Sequence, residues 1–146
     1  MKVRKKGVKK EVLLYHSDYG NIKPSNILFM QHKKLYLYRG VILNWYDGDT
    51  LTADVDLGFK IHAKVRIRLV RINSWEINHE STYRRRFARH ARMFAVKHFP
   101  VGSEILISSK RKDRYGRWLA EVEYEGTNIS DFLMDSGEKG FERYEG

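Results

Sequence analysis

The chain has 146 residues, enough for one compact domain and too few for two ordinary ones. Its formal charge of +10 suits a polyanionic partner, which is either nucleic acid or an anionic membrane face. The sequence contains no cysteine, which excludes disulfides, zinc–thiolate sites and thiol nucleophiles, and no apolar stretch is long enough to span a bilayer.

Residues 1–35 carry nine Lys or Arg residues against two acidic ones, and residues 1–10 are predicted to form a flexible basic arm. Two short strands are predicted over 12–15 and 27–30, with turn residues between them. The arm either contacts phosphates or is a solvated tail. Because 1–35 contains no amphipathic segment with a strong apolar face and no secretory signal core, we expect no membrane partner and a cytoplasmic location.

Residues 36–146 are predicted to form one domain, in which strands precede and follow a helix. Strands are predicted over Leu35–Asn44, Thr50–Leu57, Ile61–Ile72, Glu104–Ser109 and Trp118–Tyr124, and helices over Glu80–Phe99 and Asn128–Ser136. This order predicts an α+β, mainly β fold: a five-stranded, partly open barrel of the OB type with a helix inserted after strand 3 and a short C-terminal helix. We expect this domain to act as a monomer.

Two of these elements have a predicted inner face. In the third strand, the apolar positions from Ile61 to Leu69 alternate with basic ones, which places Arg68 on the opposite face. In the long helix, Tyr83, Phe87, Ala91 and Phe94 recur at helical spacing and are predicted to face the barrel. Five arginines occupy the remaining helix faces, and for most of them we expect an ordinary solvated surface.

Three loops carry residues suited to phosphate chemistry. Asp47 and Asp49 flank Gly48 at a strand-to-strand turn, where they either bind a hard cation or only form the turn. Arg68 ends a strand that leads into 73–76, a loop with an amide and a carboxylate, and 113–117 is a charged hairpin loop. Phosphodiester cleavage needs a metal ion, a general base and cationic donors to the phosphate, and these loops supply candidates for each.

The segments 47–50, 65–76 and 113–117 resemble, in order and spacing, three motifs of the staphylococcal nuclease family. The resemblance covers roughly Tyr38 to Gly146 and implies a calcium-dependent nuclease, with magnesium as a second candidate metal. It further implies that DNA and RNA are cut with little sequence preference, by in-line attack of water that leaves 3′-phosphate ends.

The resemblance also assigns roles residue by residue. It implies that Arg68 and Arg117 grip the phosphate and that Glu76 is the general base. It implies metal binding by Asp49, Asn73 and the backbone carbonyl of Ser74, with Asp47 as a supporting carboxylate. For contacts with nucleic acid, we expect Tyr115, Tyr144, Arg71, Arg84 and Lys112.

Three positions depart from the family pattern. Asn73 stands where a second aspartate ligand is usual, which predicts weaker metal binding because an amide brings no charge. Trp75 replaces a proline, so it either loosens or re-aims Glu76 or stacks on a base. Arg71 stands where a small residue is frequent. These changes keep open the alternative of a catalytically weak or inactive nucleic-acid-binding module of the same fold.

Overall fold

A computed structural model of the protein describes residues 36–144, so the two strands predicted within 1–35 lie outside the described residues. The strands, in chain order, are β1 Leu37–Trp45, β2 Thr50–Asp56, β3 His62–Leu69, β4 Ile72–Ser74, β5 Glu104–Lys112, β6 Trp118–Tyr124, β7 Thr127–Asn128 and β8 Phe141–Arg143. The helices are α1 Thr82–His98 and α2 Ile129–Asp135. Neither helix in this part of the chain has the length and apolar character that crossing a bilayer requires.

Five strands close into a barrel. Their order is β3-β2-β1-β5-β6, with antiparallel neighbours, and a parallel pairing between β3 and β6 joins the two ends. Ile67 pairs with Trp118 and Leu69 with Ala120 along this seam. The predicted five-stranded OB-type barrel, with a helix after the third strand and a short helix near the C-terminus, is confirmed.

The barrel interior is filled by the alternating apolar positions of its strands. Ile42, Trp45, Leu51 and Ile67 are fully buried there. The indole of Trp45 donates a hydrogen bond to the backbone carbonyl of Phe99 (2.9 Å), so its polar nitrogen is satisfied inside the core. This contact ties the end of α1 to the strand that leads into the Asp47–Asp49 turn.

The third strand differs from its prediction at both ends. It stops at Leu69, because Arg71 takes a left-handed backbone conformation (φ 65°) and turns the chain into β4. At the other end Ile61 is 56% exposed, because the whole tip of the β2–β3 hairpin, residues 56–62, lies on the surface. Only the half of β3 that closes the barrel is buried.

Helix α1 packs through a face rotated from the predicted one. Ala88, Ala91 and Ala95 are fully buried, whereas Tyr83 is 62% exposed. Small side chains let the helix backbone approach the barrel closely, so the larger apolar residues lie at the sides of the contact. The predicted inner position of Tyr83 is therefore wrong, and that of Ala91 is confirmed.

Gly140 lies where α1 approaches the chain just before β8. Its φ is +105°, and a Cβ there would lie 2.8 Å from the carbonyl oxygen of Phe87. We expect Gly140→Ala to lower the free energy of unfolding by about 2–4 kcal/mol, since it combines backbone strain with a clash against helix backbone.

The matched control is Gly126→Ala. Gly126 also has a positive φ (+79°), but open space surrounds it, so only a strain of about 1 kcal/mol is expected. Urea denaturation of both variants measures the difference. Equal losses would show that the close approach of Gly140 to α1 has no energetic weight.

Candidate active site

Four segments meet at one end of the barrel around a cleft of about 1020 Å³. They are the β1–β2 turn, the region from the end of β3 to Glu76, the β5–β6 hairpin, and the C-terminal residues Arg143 and Tyr144. Residues far apart in the chain are thus brought to one place, including Asp49, Arg68 and Arg117.

The β1–β2 turn is fixed by packing as well as by its own hydrogen bonds. The amide of Tyr46 donates to the carbonyl of Thr50 (2.8 Å). A Cβ at Gly48 would lie 2.8 Å from a ring carbon of Phe141 and 3.0 Å from the Cβ of Ser74. Glycine is therefore required by the close approach of β4 and β8, and the interpretation of this segment as a turn only does not account for its burial.

The two carboxylates of this turn crowd each other. Asp49 is 4% exposed and accepts hydrogen bonds from the hydroxyl of Thr50 (2.8 Å) and from the backbone amide of Ser74. Burial, together with the charge of Asp49, raises the pKa of Asp47 to about 7. Carboxylates that are this poorly solvated and this close together are stabilised by a cation.

Arg68 supplies a positive charge beside Asp49. Its Nη2 lies 3.2 Å from Oδ2 of Asp49, and only 8% of Arg68 is exposed. The same guanidinium donates to the carbonyls of Leu69 (2.7 Å) and Ile72 (2.6 Å) and to the side-chain oxygen of Asn73 (2.9 Å). Arg68 is therefore not a solvated strand arginine, because its side chain is buried and holds the β3–β4 turn.

Four groups could hold a hard cation: Asp47, Asp49, the side-chain oxygen of Asn73 and the backbone carbonyl of Ser74. All four residues line the cleft, and their oxygens are of the kind that calcium and magnesium prefer. This donor set fits a divalent cation chemically. The amide oxygen of Asn73 also accepts a hydrogen bond from Arg68, so a bound cation would share this oxygen with the guanidinium.

Glu76 differs from these groups in being exposed. It lines the cleft, and no side-chain hydrogen bond or ion pair joins it to another residue within 36–144. A carboxylate that is open to solvent at the edge of a cationic cleft is available to accept a proton from water.

Trp75 anchors the loop that carries Glu76. Its amide donates to the carbonyl of Gly140 (2.9 Å), and its indole nitrogen donates to Glu142 (2.8 Å). The ring meets the edge of Phe87 at 5.6 Å between centroids. Contacts within the protein therefore occupy Trp75, which argues against both a loosened Glu76 and base stacking by this ring.

Asp113 orients Arg117 on the β5–β6 hairpin, a role that the sequence analysis missed. It accepts hydrogen bonds from the backbone amides of Tyr115 (2.8 Å) and Arg117 (2.9 Å) and from Nε of Arg117 (2.7 Å). Burial acts to raise the pKa of Asp113, but these hydrogen bonds outweigh it and the pKa is lowered. The i,i+4 spacing of the pair was the signal that could have revealed it.

The two aromatic residues expected to contact nucleic acid both line the cleft. The Tyr115 ring is 68% exposed and has the guanidinium groups of Arg114 and Arg117 over it, at 4.8 and 5.3 Å from the ring centroid. Tyr144 is 55% exposed, and its amide donates to the carbonyl of Arg71 (3.0 Å).

The basic residues expected to contact nucleic acid are placed differently from one another. Lys112 lines the cleft, over the ring of Trp118. Arg71 also lines it, but its guanidinium is paired with Glu121 (2.8 Å) and Asp131 (2.7 Å), so two carboxylates balance its charge.

Arg84 does not line the cleft. It lies on α1 with its guanidinium 5.7 Å from the ring centroid of Trp75, the residue before Glu76.

The comparison with known families agrees with this geometry. The sequence model of the staphylococcal nuclease homologue family matches residues 66–142. The chain belongs to this family. The match contains Arg68, Asn73, Ser74, Glu76 and Arg117 and begins after the carboxylate turn. No curated protein matches the chain.

Proposed function

We propose that this member of the staphylococcal nuclease homologue family is a metal-dependent, sugar-nonspecific nuclease that hydrolyses phosphodiester bonds of DNA and RNA. Calcium is the favoured metal and magnesium the second candidate. The observation that carries the proposal is the convergence, in one cleft, of crowded carboxylates, a buried arginine, a solvent-exposed glutamate and an arginine held by its own aspartate. Each part has a use in phosphodiester hydrolysis, and a binding surface needs no such combination.

Each of three side chains has one role in the proposed hydrolysis. Glu76 takes a proton from a water molecule, and the water oxygen attacks phosphorus in line with the departing 5′-oxygen. The 5′-oxygen leaves as a hydroxyl after taking up a proton from solvent, and the other product ends in a 3′-phosphate. Arg117 and Arg68 donate hydrogen bonds to the phosphate oxygens, on which negative charge builds up. A bound calcium ion would neutralise part of that charge and lower the cost of bringing the phosphate to the carboxylate turn.

The cleft also suits the polyanionic backbone on either side of the cleaved bond. It is lined by eight Lys or Arg residues against four acidic ones, and most of the cations come from the β5–β6 hairpin. A volume of about 1020 Å³ is at the upper end of the range for small-molecule sites, so more than one nucleotide fits. The exposed ring of Tyr115 can stack on a base without sequence preference.

A second candidate function is a nucleic-acid-binding module that does not cleave. One observation favours it: the guanidinium of Arg68 already serves Asp49, Asn73 and two backbone carbonyls. An arginine with this many partners has fewer donors left for a phosphate. The loss of a charged ligand at Asn73 acts in the same direction.

Incubation with single-stranded DNA, duplex DNA and RNA, each with calcium, magnesium or chelator, separates the two. An Asp49→Ala protein purified in parallel controls for contaminating nucleases. Cleavage that requires a divalent ion and is lost in Asp49→Ala supports the nuclease. Binding of all three nucleic acids without cleavage under any condition supports the module.

Asn73→Asp is expected to tighten the apparent calcium affinity. The wild-type site should be half-saturated in the range of weak calcium modules, roughly 10⁻⁴–10⁻³ M, and a second charged ligand should lower that concentration about tenfold. Calcium titration of the cleavage rate and of the melting temperature measures this. Asn78→Asp makes the same charge change at an exposed position outside the cleft and should leave the titration unaltered.

A further inference from the structure

The outer face of α1 carries a stripe of cations. Arg86, Arg89, Met93 and Lys97 recur at helical spacing and are all exposed, on the side opposite the buried Ala91. Among residues 36–144, none of the three cations has a side-chain hydrogen bond or ion pair. Arg68, Arg71 and Arg117, in contrast, are each paired with a carboxylate.

The charge in the first part of α1 opposes the stability of the helix, although Lys97 in the last turn is favourably placed. The 17 residues of α1 include no acidic side chain, and Arg84 and Arg85 lie in the first turn, where a negative charge is favoured. Ser81 makes no side-chain capping bond there. Like charges three residues apart, such as Arg86 and Arg89, repel each other. A helix selected only to be soluble and stable would mix acidic residues into this face, so the excess of arginine points to an anionic partner.

The helix that carries the stripe packs, at its first turn, on the loop of Glu76. Tyr83 and Arg84, in the first turn of α1, pack on Trp75, which directly precedes Glu76. From Arg86 the stripe runs about 16 Å along the helix to Lys97, which is roughly five base steps of duplex. A polynucleotide that leaves the cleft past Glu76 and follows α1 would reach a row of cations that have no ion pair within residues 36–144.

We propose that the outer face of α1 is a second binding surface for the phosphate backbone of nucleic acid, outside the cleft and used by long substrates only. It rests on the proposed action of the cleft on nucleic acid. The observation that supports it is a row of exposed cations, without ion pairs among residues 36–144, on a helix that contains no acidic residue.

The test uses the full chain with Arg86→Ala, Arg89→Ala and Lys97→Ala combined. Fluorescence anisotropy, in chelator to prevent cleavage, measures binding of a duplex of about 24 base pairs and of a single strand of about four nucleotides. For the duplex we expect affinity to fall about tenfold or more and the salt slope to fall by about 2–3. For the short strand we expect no change. The melting temperature should change little, because alanine favours helix and relieves the repulsion between Arg86 and Arg89, while the favourable charge of Lys97 in the last turn is lost.

The matched control combines Arg39→Ala, Lys60→Ala and Lys64→Ala. It removes the same charge from exposed positions outside both α1 and the cleft. If the control weakens duplex binding as much as the α1 variant does, or if the α1 variant weakens the short strand equally, the proposed surface is wrong. The nuclease proposal is tested separately by cleavage. If the wild-type chain does not cleave but the α1 variant still binds the duplex more weakly than the control does, the nuclease proposal fails and the binding surface stands.

Discussion

Glu76→Gln is expected to lower the rate of nucleic-acid cleavage by about 10²–10⁴-fold, the usual contribution of a positioned general base. Glutamine keeps the shape of the side chain and removes its capacity to accept a proton. Because Glu76 is exposed and makes no side-chain hydrogen bond or ion pair within 36–144, its replacement should not affect folding. Single-turnover cleavage, thermal melting and binding in chelator together separate the loss of chemistry from loss of structure or affinity.

Glu80→Gln is the matched control. Glu80 is exposed and lies on the same loop, four residues after Glu76, but it does not line the cleft. It should cleave at the wild-type rate. A Glu76→Gln protein as fast as the wild type would remove Glu76 from the reaction, and a slow Glu80→Gln protein beside it would identify Glu80 as the base.

The elements that the sequence predicted well are those whose stability comes from a repeating apolar pattern. Strand β2 alternates between buried and half-buried residues from Leu51 to Val55, and its prediction needed nothing but the matching alternation of apolar and polar residues in the sequence. Strand β8 could not be predicted in this way. Phe141–Arg143 has three residues and is ordered by pairing with β4, about seventy residues earlier in the chain. No local pattern encodes such a pairing.

The residues of the candidate site were also hard to predict where their surroundings depend on distant parts of the chain. The sequence placed Arg68 on the face of β3 opposite the core, and the structure agrees on the face but buries the side chain. The cause lies in Asp49 of the β1–β2 turn, a separate segment of the chain whose carboxylate is paired with Arg68 in the folded barrel. The role of Asp113 could have been predicted, because it depends on a contact with Arg117, only four residues away in the sequence.

Trp75 shows why a substitution within a motif cannot be interpreted from the motif alone. The loss of proline suggested a looser loop, since proline restricts its own backbone. In the structure a hydrogen bond from Trp75 to Glu142 and ring contacts with Tyr83 and Phe87 supply the restraint instead. These partners come from β8 and α1. Tyr83 and Phe87 of α1 therefore hold the loop that carries Glu76.

Arg117→Ala is expected to lower turnover by about 10²–10³-fold while changing the affinity for nucleic acid much less. In the proposed reaction its contacts with the phosphate strengthen as charge builds up in the transition state. Their loss should therefore lower the cleavage rate more than the affinity. Asp113 holds Nε of Arg117, which leaves the two terminal nitrogens of the guanidinium free to donate to the phosphate. Arg117→Lys should recover little, because an ammonium group cannot bind Asp113 and a phosphate oxygen in this fixed geometry.

The control for Arg117 is Arg114→Ala. Arg114 is on the same hairpin, lines the same cleft and lies over the same Tyr115 ring, but no carboxylate within residues 36–144 holds it. Its loss should weaken binding and reduce the salt slope by about 0.7–0.9, the effect of one phosphate contact, and leave the single-turnover rate at saturation unchanged. The cleavage rate of Asp113→Asn should lie between those of Arg114→Ala and Arg117→Ala, because Arg117 keeps its charge but is no longer oriented. Its affinity for nucleic acid should stay unaltered. If Arg114→Ala and Arg117→Ala instead lose rate and affinity in the same proportion, both arginines bind the ground state alone and Arg117 has no part in the chemistry.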